Sequence, residues 1–302
     1  MSDEAQGLPG EAMVEWHEIR DPADPQLDRL AERYGLHPLH IEDCRHRDQR
    51  AKIEELDEYI FIVLKPVECG GEAELEASDL DIFLGPNFVI TVQEGNCVAV
   101  ARMLSTLRTS WGTWTRGDQL LYRIMDGVVD SYLPTIDGFS DTIDELEDAV
   151  LDNPTPEALQ RIFAMKRALV LMRRVLGNTR DVAGHLQRTA NELIAADLWP
   201  FLRDVYDHVT RNLDTIETQR DLLNGALDIY LSSVSNRMNS VMKTLTIVGT
   251  IALPAIIITG MYGMNVEGLP YAHSPYAFGI VGAAVGISMI LLLLILKRLH
   301  WF

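Results

Sequence analysis

Six potential metal ligands crowd residues 37–46: His37, His40, Glu42, Asp43, Cys44 and His46. Imidazole, thiolate and carboxylate are the donors that first-row transition metals take. By composition alone the stretch could serve a metal-dependent enzyme. Its spacing argues otherwise, because the ligands share one short segment and no His-Glu-x-x-His pair occurs. Pro38 and Glu42 suit the start of a helix, which is a structural task. A second group, Asp137, Asp141, Asp144, Glu145, Glu147 and Asp148, reads most simply as the solvated face of a helix. The alternative is a negative shell that draws cations. No Ser/His/Asp set, phosphate-binding loop or dinucleotide fingerprint is visible, so neither an enzyme nor ATP-driven transport has support. The three cysteines, Cys44, Cys69 and Cys97, are odd in number and far apart. That spacing predicts no disulfide framework and a reducing compartment.

The distribution of charge says more than its total. Among 302 residues, 26 are Lys or Arg and 44 are Asp or Glu, giving a net charge of −18. Beyond residue 244 the only formal charges are Glu267, Lys297 and Arg298. The chain is an acidic body with an apolar tail. Such a body lacks the basic footprint that nucleic acid requires. Residues 1–16 have neither a basic start nor an apolar run, so they are not expected to be a signal peptide.

Two uncharged runs make up the tail, residues 244–262 and 276–296. About 20 residues at 1.5 Å each cross about 30 Å of hydrocarbon, so both are long enough to span a bilayer. Arg237 and Lys243 precede the first, Lys297 and Arg298 follow the second, and residues 263–275 carry no Lys or Arg. The positive-inside rule then predicts a multi-pass cell-membrane protein with both termini in the cytoplasm.

The body that precedes the tail mixes strand and helix signals. Residues 59–64, 80–84 and 88–92 are β-branched and aromatic, as strands are, and Gly85-Pro86-Asn87 suggests a hairpin between the last two. Residues 13–19 alternate weakly, while 27–34 and 99–107 read as helices. Helical spacing dominates from residue 118, with a kink expected at Pro134. Thr155 and Pro156 should cap a helix running toward Leu176, followed by another over 180–195. No proline lies between Pro200 and Pro254, so one helix from 201 to 262, roughly 90 Å long, is expected. The divisions are a cytoplasmic α/β domain (1–115), a helical domain and stalk (116–243), a first span (244–262), an external loop (263–275), a second span (276–296) and a basic tail (297–302).

Tyr262-Gly263-Met264-Asn265 ends the first span, and Val266-Glu267-Gly268-Leu269-Pro270 follows. A Y-G-M-N there, before a second C-terminal span, resembles the CorA family of magnesium and cobalt transport proteins. So do Tyr230-Leu231-Ser232-Ser233-Val234-Ser235-Asn236 with Asn239 and Met242-Lys243, the FLRDVYDH of residues 201–208, and the YIFIVLK of residues 59–65. The resemblance covers nearly the whole chain. It implies an α+β cytoplasmic domain, a long stalk helix and two transmembrane helices, assembled as a homopentameric funnel in a lipid bilayer.

The resemblance makes Gly263, Met264 and Asn265 a selectivity filter. Mg²⁺ loses its waters reluctantly, and a ring of Asn265 amide oxygens can accept hydrogen bonds from that water shell. Five copies of Glu267 could concentrate cations outside, or be ordinary loop acids. Asn239, Met242, Leu245, Gly249, Leu253, Ile256 and Gly260 recur at intervals of three or four and so share a helix stripe. The stripe fits the family's pore-lining positions, with its apolar stretch as a dewetting gate; a helix–helix seam is the other reading. The family often has a hydroxyl where Ile256 stands. Asp204 matches a family position that senses cytoplasmic divalent ions between neighbouring protomers, and Asp228 resembles a family acidic position; plain helix surface is the other reading of each. Gly70 occupies the partner-acid position, leaving Glu68 and Glu72 beside it.

The function so implied is a Mg²⁺ influx channel, open to Co²⁺ and by extension Ni²⁺, with Mg²⁺ as both cargo and regulator and no organic cofactor. Two alternatives stay open. One is a zinc transporter of the ZntB type, with or without proton coupling; the other is a membrane metal sensor that conducts nothing.

Overall fold

The structure, a computed structural model, describes residues 14–46, 49–70, 74–93, 97–109, 116–189, 191–264, 269–270, 274–299 and 301. The chain divides into two compact units, Met1–Asp228 and Ile229–Phe302.

The first unit holds a five-stranded sheet in the order β1 (Glu15–Ile19), β7 (Phe88–Gln93), β6 (Leu80–Leu84), β3 (Ile60–Leu64) and β2 (Lys52–Glu55). β1 runs parallel to β7, and the other neighbours are antiparallel. Every residue of β3, β6 and β7 is buried, which explains why these segments read as continuous apolar runs rather than alternating ones. The expected hairpin forms, with Leu84 opposite Val89. One sheet face is packed with Phe61, Val63, Phe83, Ile90 and Val92. Helices α1 (Pro25–Tyr34) and α2 (Pro38–Arg45) cover it through Leu27, Leu30, Ile41 and Cys44. A short hairpin, β4 (Val67–Cys69) with β5 (Leu75–Ala77), stands apart from the main sheet.

Helices complete the unit. α3 (Val98–Thr109) and α4 (Gly117–Asp130) follow the sheet. The bend expected at Pro134 is a break: α4 stops at Asp130 and α5 (Leu133–Asp152) starts with Pro134 in its first turn, where a missing N–H costs nothing. Tyr132, in the break, is wholly buried, and its hydroxyl donates to the Lys65 carbonyl at 2.9 Å and meets Thr179 Oγ1 at 3.4 Å. Helix α6 (Pro156–Arg188) starts as expected, with the Thr155 hydroxyl accepting from Ala158 N. It then runs unbroken through Gly177, correcting the expectation of two helices. Nothing crowds Gly177, and a helical glycine costs only about 1 kcal/mol. Helix α7 begins here as well, spanning Trp199–Tyr262. Gln219 ties it to α5 by donating to the Ile136 carbonyl and to Ser140 Oγ, each at 2.7 Å.

The second unit contains the remainder of α7 and α8 (Ala277–Arg298). Both carry apolar stretches long enough to cross a membrane, and only 6% of each stretch is buried. Pro254 lies inside α7, where its missing N–H leaves the Thr250 carbonyl without its helical donor. Membrane helices tolerate this.

Candidate metal centre

One helix pair in the first unit gathers cation ligands. Along α4, Asp126 and Asp130 are four residues apart and so share a face. Along α7, Asp204 and His208 have the same spacing. Ligand atoms of Asp126, Asp130 and His208 all lie within 4.8 Å of one another. Asp204 Oδ1 is 3.7 Å from His208 Nε2. Two carboxylates and an imidazole therefore face a common space, with the Asp204 carboxylate beside the imidazole. Burial, then the neighbouring Asp130 carboxylate, pushes the Asp126 carboxyl above its ordinary value, and Asp204 adds to this. Arg123 and His208 oppose it. Repulsion of this kind is relieved by a cation. The oxygen-rich set suits a hard divalent ion that keeps part of its water shell, and the imidazole also admits Co²⁺ or Ni²⁺. Beside the cluster, the Tyr122 and Phe201 rings lie 5.3 Å apart.

The sequence reading found Asp204 here and missed Asp126, Asp130 and His208. The available signal was the paired i, i+4 spacing on two helices. Among the other expected sensing residues, Glu68 is occupied otherwise: its carboxylate accepts the Ala99 backbone N–H at 2.9 Å in the first turn of α3. Gly70 closes the β4–β5 hairpin through Glu74 O at 2.8 Å. Asp228 is exposed, and Glu72 lies outside the described residues.

The ligand-rich segment at 37–46 is structural. His37 Nδ1 accepts from Leu39 N at the start of α2. His40 is buried, bonded to the Tyr59 hydroxyl at 2.8 Å and Glu54 at 3.0 Å, and stacked on Phe61. Asp43 is held by Lys52 at 2.7 Å. Burial raises the Cys44 thiol's pKa, which keeps it un-ionised. Cys44, Cys69 and Cys97 form no disulfides. The acidic residues of α5 line a largely exposed face, as expected of a solvated helix.

In the second unit, Asn239, Met242, Leu245, Gly249, Leu253, Ile256 and Gly260 all lie on α7, and all are exposed. Met242 is 57% exposed, Leu245 66%, Leu253 57% and Ile256 67%, so an apolar stripe lacks cover within the chain. At the helix end, Gly263 N donates to Thr259 O at 2.9 Å and Met264 N to Met261 O at 3.3 Å. A Cβ on Gly263 would sit 3.2 Å from Thr259 O, so glycine suits this tight exit. The Tyr262 hydroxyl donates to Pro270 O at 2.9 Å, pinning the far side of the loop that carries Asn265 and Glu267. Those two residues lie outside the described residues.

Comparison with known proteins follows the same lines. The family model described as "CorA-like Mg2+ transporter protein" matches residues 11–298. The chain is 38% identical over 278 residues to the cobalt/magnesium transport protein CorA of Thermotoga maritima, covering 91% of this chain and 79% of that one. It is 31% identical to the putative metal ion transporter YfjQ of Bacillus subtilis, covering 91% and 87%. The complete structure of the CorA magnesium transporter from Methanocaldococcus jannaschii superposes with a TM-score of 0.85 at 28% identity, covering 95% and 91%. A ZntB cytoplasmic domain from Vibrio parahaemolyticus shares the fold at 16% identity, with a TM-score of 0.60 and coverage of 76% and 91%. With a matching model over nearly its whole length, a close relative and a shared full-length fold, the chain belongs to the family of CorA-like Mg²⁺ transporters.

Proposed function

We propose that five copies of this chain form a membrane channel that passes Mg²⁺ into the cell down its electrochemical gradient and admits Co²⁺. The observation that carries this reading is the family match across residues 11–298, which takes in both apolar helices and the Gly263-Met264-Asn265 motif. Two spans cannot enclose a pore alone, and the uncovered stripe from Asn239 to Gly260 supports assembly around an axis. In that assembly Asn265 amides would hold the hydrated ion at the outer mouth, with Glu267 nearby raising local cation concentration. Leu245, Leu253 and Ile256 would form the dry constriction. Basic residues flanking both spans favour cytoplasmic termini.

Feedback is assigned to the α4–α7 cluster. A cation on Asp126, Asp130 and His208, with Asp204 beside them, favours whichever state holds those groups together, and only by its differential affinity. Cytoplasmic Mg²⁺ would thereby close the channel. Asp228, Glu68 and Glu72 are secondary candidates; Glu68 already serves α3.

The test is ion flux into liposomes containing the purified protein. Mg²⁺ and Co²⁺ should enter without a proton gradient, and each should compete with the other. Zn²⁺ flux that requires a proton gradient would replace this reading with the ZntB-type one. Cation binding without flux of any ion would leave a sensor.

A further inference from the structure

A carboxyl group in the apolar core plays no part in the cation chemistry. Asp81 sits mid-strand in β6 and is 2% exposed. Alternation puts it on the same face as Phe83, and its register partners are Val63 of β3 and Val92 of β7. Phe83, Val63 and Val92 all belong to the core that α1 and α2 cover. The Cys44 thiol of α2 lies in hydrogen-bond contact with the Asp81 carboxyl. Oxygen Oδ1 has no hydrogen-bond partner.

The charged groups around it offer little compensation. Asp79, two residues back, already holds Lys65 in a buried ion pair and accepts from Gln49 N at 3.2 Å. Asp43 of α2 is held by Lys52 of β2. Both acids disfavour a charge on Asp81; the Cys44 hydrogen bond and, more weakly, Lys65 favour one without outweighing burial. The flanking strands present Val63 and Val92, and α1 presents Leu27 and Leu30. An ionised carboxylate here would be a largely uncompensated buried charge.

We propose that Asp81 is a buried proton-binding site, and that loss of its proton loosens α2 from the sheet. Burial, then Asp79, raises its carboxyl to about 7. With the proton in place the core is neutral. Without it, opening α2 hydrates the charge and restores an ordinary acid. The folded value lies above the unfolded one, so the stabilising contribution is full below about pH 4, falls as pH rises, and is lost once pH passes about 7. The cytoplasmic domain thereby carries a sensitivity to pH separate from its cation site.

Cys44 reports the opening because it lies against Asp81 and is itself buried. Full-length protein is labelled with trace maleimide, and Cys44 is resolved from Cys69 and Cys97 by mass spectrometry. The rate in wild type is divided by that in Asp81→Asn, which cancels the thiol's own titration. This ratio should rise about a hundredfold between about pH 5 and about pH 8. Asp81→Val, matching the neighbouring strands, is the second variant should Asn disturb folding. Infrared spectra of wild type should also show an un-ionised carboxylic acid that titrates near neutrality and is absent from either variant. A flat labelling ratio across that range, or spectra with no such titrating band, overturns the proposal.

Discussion

Replacing Asp126 by Asn tests the cation cluster most directly. The change keeps the size of the side chain and removes one charge from a group whose ligand atoms lie within 4.8 Å. Two unit charges at that distance interact by about 0.9 kcal/mol in water and about 3.5 kcal/mol at an effective dielectric of about 20. Asp126 is intermediate in exposure, so its value falls between these limits. A divalent cation seated among the carboxylates loses one such attraction on mutation, offset in part by the repulsion relieved in the empty site. Affinity should therefore fall by about 1–3 kcal/mol, or about 5- to 150-fold. Calorimetric titration of the purified protein with Co²⁺ reads the affinity, and protease protection across a Mg²⁺ titration reads the conformational response. Asp148→Asn, on the exposed face of α5, is the charge-matched control and should change neither. If Asp126→Asn and Asp148→Asn give the same curves as wild type, the cluster is not the regulatory site.

Other expectations follow from the same structure. Asn265→Ala should abolish Mg²⁺ uptake in liposomes while the oligomer still forms by size-exclusion chromatography; wild-type flux would remove Asn265 from the filter. Leu253→Ser or Leu245→Asn should raise current through the closed channel, because a wetted constriction no longer blocks ions; unchanged closed-state conductance counts against the gate. Tyr132→Phe should lower the stability of the first unit by about 1–2 kcal/mol, since a buried hydrogen bond to the Lys65 carbonyl is lost. Denaturant unfolding followed by near-ultraviolet circular dichroism measures this, and an unchanged midpoint would show that the carbonyl finds another partner.

How much was legible in the sequence depended on whether the cause was local. Strands β3, β6 and β7 and the apolar runs of α7 and α8 could be read because each is set by its own composition. The cap on α6 was legible because Thr155-Pro156 encodes it within a single turn. The unbroken course of α6 through Gly177 was not, since a glycine there signals an end and only packing elsewhere along the helix overrides it. Nor was the α4–α5 break, where Tyr132 is drawn inward by Lys65 and Thr179, residues distant in sequence. At the cation cluster, Asp204 was found through a motif, whereas Asp126 and Asp130 belong to a helix 74 or more residues earlier. Their meeting with His208 is a fact of packing. The histidine-rich stretch misled in the opposite direction: its ligands are adjacent in sequence, yet His37, His40, Asp43 and Cys44 turn to separate partners.

The parallel pairing of β1 with β7 bears on how the chain is made. Glu15 lies opposite Phe88, so β1 waits for about 70 more residues before its partner exists. The β6–β7 hairpin closes over a tight turn and can form within microseconds, whereas β1 must close a long loop to reach the β7 edge. The residues of both apolar helices leave the ribosome later still. Vectorial synthesis therefore gives the soluble half time to close before the greasy half appears, and a slow β1 would leave an open strand edge at the moment insertion begins.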